Sequence, residues 1–342
     1  MTFEKIAGDV ADLMPVPIRD LGLKLEGSPV ERFVEQLYRE LEAKKLHHFR
    51  PACYLTDQWG CPSEEPVIGI PFYLADPRVG AIESAINDIE NEREIMMYMR
   101  HEAGHAFNYA YELYKTEEWH ELFGPFRRPY REHYRFTPFS RDYVRHIAGW
   151  YAQKHPDEDF AETFAVWLTP RSNWREKYRG WPAMNKLRYV DRICRELSDA
   201  PPLRPFGETD FTVEEMEQTI EEFYRETTVD ESQSIADLAL DVDLDDIFLS
   251  RDAVNPDQAK PAAEVIAEHR RALIDKVTYW TGARRSLVKT LVEAISLRVA
   301  ELDLVIDRSH ESAHVVELTV YVTTLSVNFL GGRKFQRKRR TT

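Results

Sequence analysis

NEREIMMYMRHEAGHAFNYAYELYK, residues 91–115, places His101-Glu102-Ala103-Gly104-His105 inside a run whose apolar residues recur at helical spacing. Two histidines four positions apart lie about 40° apart around a helix axis and one turn along it, so both imidazoles can reach one metal ion while Glu102 stands beside it. That spacing suits a zinc ion that activates water. A catalytic zinc needs a third protein ligand and an open position. The sequence predicts a second helix from Pro156 to Thr169, with Asp157, Glu158 and Asp159 in its first turn, where acidic groups complement the helix dipole. Glu158 is the expected third ligand. Glu162, one turn later on the same face, is placed to accept a hydrogen bond from a ligand histidine's other nitrogen. Asp159 and Glu162 remain the alternative ligands on this helix.

Working outward, residues 29–46 space Val30, Phe33, Leu37 and Leu41 as one face of an amphipathic helix. Short apolar runs at residues 51–55 and 67–74 predict strands, the second an edge strand because Pro71 cannot donate to a ladder. Residues 123–140, rich in proline, arginine and aromatics, predict an irregular binding loop. A further helical segment covers residues 184–197, and the run Ala200-Pro201-Pro202-Leu203-Arg204-Pro205-Phe206-Gly207 is the expected domain boundary. Beyond it, Thr212-Val213-Glu214-Glu215 is a capping box that should open a helix, with Val213, Met216, Ile220 and Phe223 turned inward. Three more helices are expected within residues 260–330. The expected fold class is therefore α+β: a zincin-like domain over residues 1–200, then a mostly α-helical domain over residues 201–342 with a basic tail.

Composition narrows the function. In 342 residues, 43% are hydrophobic and 30% charged, which suits two globular domains, each with its own core. No run of about 18 apolar residues is present, and the first residues lack a basic segment followed by an apolar one, so a cytoplasmic protein with no membrane partner is expected. Cys53, Cys61 and Cys194 are too few for a disulfide framework and lack zinc-finger spacing. The net charge is −14 although the tail from Arg333 to Arg340 is basic, so the rest of the chain should repel nucleic acid and no such partner is expected.

The motif at residues 101–105, Tyr151, and Glu158-Asp159-Phe160-Ala161-Glu162 together resemble the gluzincin metallopeptidases. They are similar in particular to the E-x-F-A-E arrangement of the anthrax lethal factor catalytic domain and of bacterial zinc-binding metallopeptidase families. The resemblance spans roughly residues 65–170. It implies zinc ligands His101, His105 and Glu158, general base Glu102, Glu162 behind a ligand histidine, and a Tyr151 hydroxyl that stabilises the oxyanion. Tyr143 and Tyr134 are the alternatives to Tyr151. It also implies that the edge strand at residues 67–74, with Gly69, Ile70 and Phe72, pairs with an extended substrate. One Zn2+ per chain and a peptide or protein substrate follow from the resemblance, with hydrolysis by water whose proton Glu102 takes and passes to the leaving amine. The rival readings are a zinc amidohydrolase acting on a small molecule and a non-catalytic zincin-like binding module.

His310-Glu311-Ser312-Ala313-His314 repeats the pattern, but only Glu317 offers a carboxylate downstream, so no second glutamate helix can complete a site there. A solvated helix face is the expectation. Asp241-Val242-Asp243-Leu244-Asp245-Asp246 lacks the glycine and the final glutamate of a calcium loop. His120, His133, His146 and His155 are read as surface or structural histidines.

Overall fold

The structure is a computed structural model that describes residues 8–87, 89–130, 134, 136–225, 240–283 and 285–330. It divides into two compact units, Met1–Tyr224 and Arg225–Thr342. The division falls later than the Pro-rich run that marked it in the sequence. Residues within and after that run still belong to the first unit: Arg204 N–H donates to Ala110 O, Thr56 Oγ1 to Phe211 O, and Met216 and Ile220 are buried in the first core. A proline-rich segment thus serves as a strap, held by hydrogen bonds that composition does not reveal. The capping box at Thr212 forms as expected, but it closes only a 3-10 turn, Val213–Glu215.

In the first unit, α1 (Glu31–Ala43), β1 (Ala52–Thr56), β2 (Val67–Pro71) and α2 (Pro77–Ile86) lead into α3 (Glu92–Ala110). After α4 (Glu117–Phe123) and an irregular stretch come α5 (Pro156–Leu168), the short α6 (Trp174–Lys177) and α7 (Ala183–Glu196). β1 and β2 pair in parallel, Ala52 opposite Val67 through Thr56 opposite Pro71. The second strand does not present an open edge over its length. On its other side Gly60 and Gly69 exchange both backbone hydrogen bonds, at 2.7 and 3.3 Å.

Helix α3 begins at a capping box. Asn91 Oδ1 accepts from the Arg93 and Glu94 amides, and Glu94 Oε2 accepts from the Asn91 amide. It ends at Ala110, shorter than the expected run to residue 115, because Tyr111 leaves helical geometry and Glu112 adopts a left-handed conformation with φ 51°. From His101 to Ala110 every residue is buried, so this half of the helix lies inside the unit. Its inner neighbour is α5, also buried along its whole length. The two come close because residue 104 is glycine: a Cβ there would stand 2.7 Å from Ala161 Cα and 2.9 Å from Ala161 O. Phe107 stacks on Phe164 at 5.0 Å one turn further along.

The second unit has its own core, including Leu244, Phe248, Ile274, Val288, Leu291 and Val322. Helices Asp241–Ile247, Ala262–Thr281, Arg285–Glu301 and Glu311–Leu330 surround it. It is mostly helical as expected, with an additional antiparallel sheet of β3 (Leu249–Ser250), β4 (Ala259–Pro261) and β5 (Leu304–Asp307) in the order β3-β5-β4. Asp241–Ile247 is a helix, not a calcium loop. The basic tail and His133 lie outside the described residues. Among the described residues no helix is long and apolar enough to cross a membrane.

Candidate metal centre

The first two turns of α5 bury four carboxylates, Asp157, Glu158, Asp159 and Glu162, an arrangement that is unfavourable unless each meets a donor or a cation. The helix starts at His155, whose Nδ1 accepts from the Asp157 amide at 3.2 Å while Pro156 occupies the first helical position. Asp157 accepts from His105 Nδ1 at 2.9 Å, Asn108 Nδ2 at 2.8 Å and the Tyr109 hydroxyl. Glu162 accepts from His101 Nδ1 at 3.0 Å and from the His146 and Ile147 amides, each at 3.0 Å. Lys186 Nζ donates to Asp159 at 2.6 Å. Burial lifts the Asp159 carboxyl to about 7 in spite of that lysine. Glu158 is left facing both imidazoles.

The three candidate ligand atoms form a tight triangle: His101 Nε2 to Glu158 Oε2 is 2.9 Å, His105 Nε2 to Glu158 Oε2 is 3.2 Å, and the two Nε2 atoms are 3.1 Å apart. A tetrahedral zinc with bonds of about 2.0–2.1 Å sets its ligands roughly 3.3–3.4 Å apart. The spacing fits. So does the chemistry of the donor set. Each Nδ1 faces a carboxylate, which can only accept when ionised, so each Nδ1 keeps a proton and the Nε2 atoms, once deprotonated, present the lone pairs that a metal ion takes. Two lone pairs and a carboxylate oxygen converging in a buried site call for a cation between them. The electrostatics draw positive charge, a proton or a metal ion, between Glu158 and the imidazoles. Burial pushes His101 down, but its hydrogen bonds to Glu158 and Glu162 prevail and hold it up at about 9. Burial likewise opposes charge on His105, and the neighbouring Asp157 and Glu158 charges lift it well above the imidazole range. Glu158 is pushed up by burial yet held well below the carboxylate range by His105 and by its hydrogen bonds from both imidazoles.

Glu102 is buried, 6% exposed, and lines a cleft of about 450 Å³ together with His101, His105, Tyr151 and Glu158. Burial raises its carboxyl. Among the described residues it has no hydrogen-bonding partner. Tyr151 stands with its ring 5.5 Å from that of His101, and burial raises its phenol. The alternative tyrosines are occupied elsewhere: Tyr134 donates to Gly149 O, and Tyr143 lies under Lys186. Asp159 and Glu162 likewise have other partners, which leaves Glu158 as the carboxylate that meets both histidines.

The residues expected to bind substrate are placed differently. Gly69, Ile70 and Phe72 are buried and do not line the cleft, because β2 is covered at Gly69 by Gly60. The wall is built by Trp59, Gly60, Cys61, Ser63 and Glu64 instead. Trp59 and Cys61 flank Gly60 on this wall, and their backbone N–H and C=O groups have no backbone partner among the described residues. Sequence reading also missed Asp157, the second histidine's carboxylate, and Tyr130, whose hydroxyl donates to Glu158 Oε1. The rule that a ligand histidine has an acceptor behind it required one for each imidazole, and that requirement was the available signal for Asp157. His155 and His146 are structural, as expected: they donate to Arg128 O and Met97 O.

Residues 77–177 match the model of a family described as "Putative zinc-binding metallo-peptidase". The matched stretch contains both site helices. No curated protein and no solved structure matches the chain, so the likeness to anthrax lethal factor has no counterpart in these comparisons.

Proposed function

We propose that the chain is a zinc-dependent metallopeptidase with His101, His105 and Glu158 as ligands and Glu102 as general base. The observation that carries the reading is Glu102: a buried carboxylate with no hydrogen-bonding partner among the described residues, opening onto the cleft beside three converging ligand atoms. A scaffold gains nothing from leaving such a group unpaired. When bound, zinc would supply Lewis acidity toward a carbonyl and bring the pKa of water toward about 7. Glu102 takes the proton of the attacking water and delivers it to the leaving amine nitrogen. Its raised affinity for protons, a consequence of burial, suits the second half of that task. The Tyr151 hydroxyl donates to the developing oxyanion. An extended substrate backbone pairs with Trp59 and Cys61, which line the cleft and whose backbone groups have no backbone partner among the described residues.

Unpaired backbone groups on residues that line the cleft favour a peptide over a compact small-molecule amide. Three unpaired thiols suit a reducing compartment. The test is Glu102→Gln, which keeps the shape of the side chain and removes its basicity. Hydrolysis of a peptide library should fall by about 10²–10⁴-fold with zinc content unchanged. Full activity in that variant would eliminate Glu102 as the base, and no cleavage by the unmodified, zinc-loaded chain would favour the binding-module reading.

A further inference from the structure

A carboxylate ligand has two oxygens, and what holds the second one decides how many coordination positions it takes. In Glu158 the two are sharply differentiated. Oε2 faces both imidazoles at 2.9 and 3.2 Å, while Oε1 accepts a hydrogen bond from the Tyr130 hydroxyl at 2.5 Å. Tyr130 comes from the irregular stretch after α4, is half exposed, and reaches into a site whose carboxylate is only 4% exposed.

Its position is fixed from several sides. The ring lies 5.4 Å from that of His155, the residue that caps α5. His155 in turn donates to the backbone carbonyl of Arg128, two residues before Tyr130. Lys154 Nζ sits over the Tyr130 ring at 4.4 Å and faces the Tyr151 ring at 5.2 Å. Tyr130 and Tyr151 also share a hydrogen bond. The same phenol therefore touches the expected third ligand and the expected oxyanion donor.

We infer that Tyr130 is a positioning residue that holds Glu158 to coordination through Oε2 alone, and so keeps the remaining position of the metal open for water and substrate. Without the hydroxyl, Oε1 has nothing to oppose its rotation onto the ion, and the carboxylate chelates with both oxygens. This rests on the metallopeptidase reading, and it predicts a change in the metal's surroundings, not only in rate.

The experiment loads the full-length chain with Co2+ and compares its visible absorption with those of Tyr130→Phe and Tyr151→Phe, because four-coordinate Co2+ absorbs much more strongly than five-coordinate Co2+. The unmodified chain and Tyr151→Phe should share an intense spectrum, and Tyr130→Phe should lose intensity at equal cobalt content. Tyr130→Phe removes one oxygen from a half-exposed side chain, and circular dichroism checks that it folds. Should folded Tyr130→Phe retain no cobalt, or show the parent spectrum, the inference is overturned. If the unmodified chain itself takes up no cobalt, the metal-site reading fails first, which distinguishes the two failures.

Discussion

The five-residue pattern HExxH occurs twice in this chain, and its two copies have opposite surroundings. His101 to His105 lie in the interior of α3, buried, with α5 pressed against them. His310 closes a 3-10 turn, its side chain 69% exposed, and the helix begins only at Glu311. His314 Nδ1 donates to the Ile247 carbonyl, and Glu311 accepts from Lys260 and His269. Glu311 does belong to a second group of close potential ligand atoms with Glu268 and His269, but the Lys260 ammonium already bridges the two carboxylates at 2.7 and 3.1 Å. The fourth residue of each motif marks the difference: Gly104, where the Ala161 backbone leaves no room for a Cβ, against Ala313, which is exposed. Two histidines of such a motif make a metal site when a second element brings a carboxylate to both, and among the described residues only the first copy has that arrangement.

The largest effect that could break this contrast is stoichiometric. By elemental analysis, the unmodified protein should hold one zinc per chain, His101→Ala should lose it and His310→Ala should keep it. Zinc that survives the first change or leaves with the second would reverse the assignment of the two motifs. Next comes the close approach of the helices. Gly104→Ala forces a methyl against backbone and should cost about 1–3 kcal/mol in denaturant unfolding, together with loss of zinc as α5 is displaced. Ala313→Gly, at the matching position, should cost no more than the roughly 1 kcal/mol of an exposed helical glycine, with zinc unaffected. Equal costs would mean that Gly104 is not what brings α5 to the histidines. The smallest effect concerns the support behind the ligand. Asp157→Asn should weaken zinc binding by about 10–100-fold in chelator competition, because His105 loses the carboxylate that fixes its orientation. Unchanged affinity would assign that orientation to packing alone.

Much of the site was legible because its parts are local. The two histidines and Glu102 share one helix, and Glu158 and Glu162 share another, so helical geometry alone fixes which side chains project together. The capping box at Asn91 and the proline after His155 set where the two helices begin, and both are visible in sequence. The misplaced features are those that depend on contacts between segments. Gly60 reaches back to cover Gly69, so residues 59–61, and not β2, line the cleft. The Pro-rich run and the residues just after it are tied to residues more than a hundred positions earlier, and the domain boundary moves with them.

The sequence by itself determined two helices carrying two imidazoles, a glutamate between them and a set of carboxylates, because 100° of rotation per residue is independent of everything else in the chain. Only the tertiary structure decided which carboxylate meets both imidazoles, which motif has both histidines facing such a carboxylate, and that Asp157 and Tyr130 stand behind the candidate ligands. Those outcomes depend on the separation of α3 and α5 and on the path of an irregular segment, which are set by packing and by hydrogen bonds across the fold.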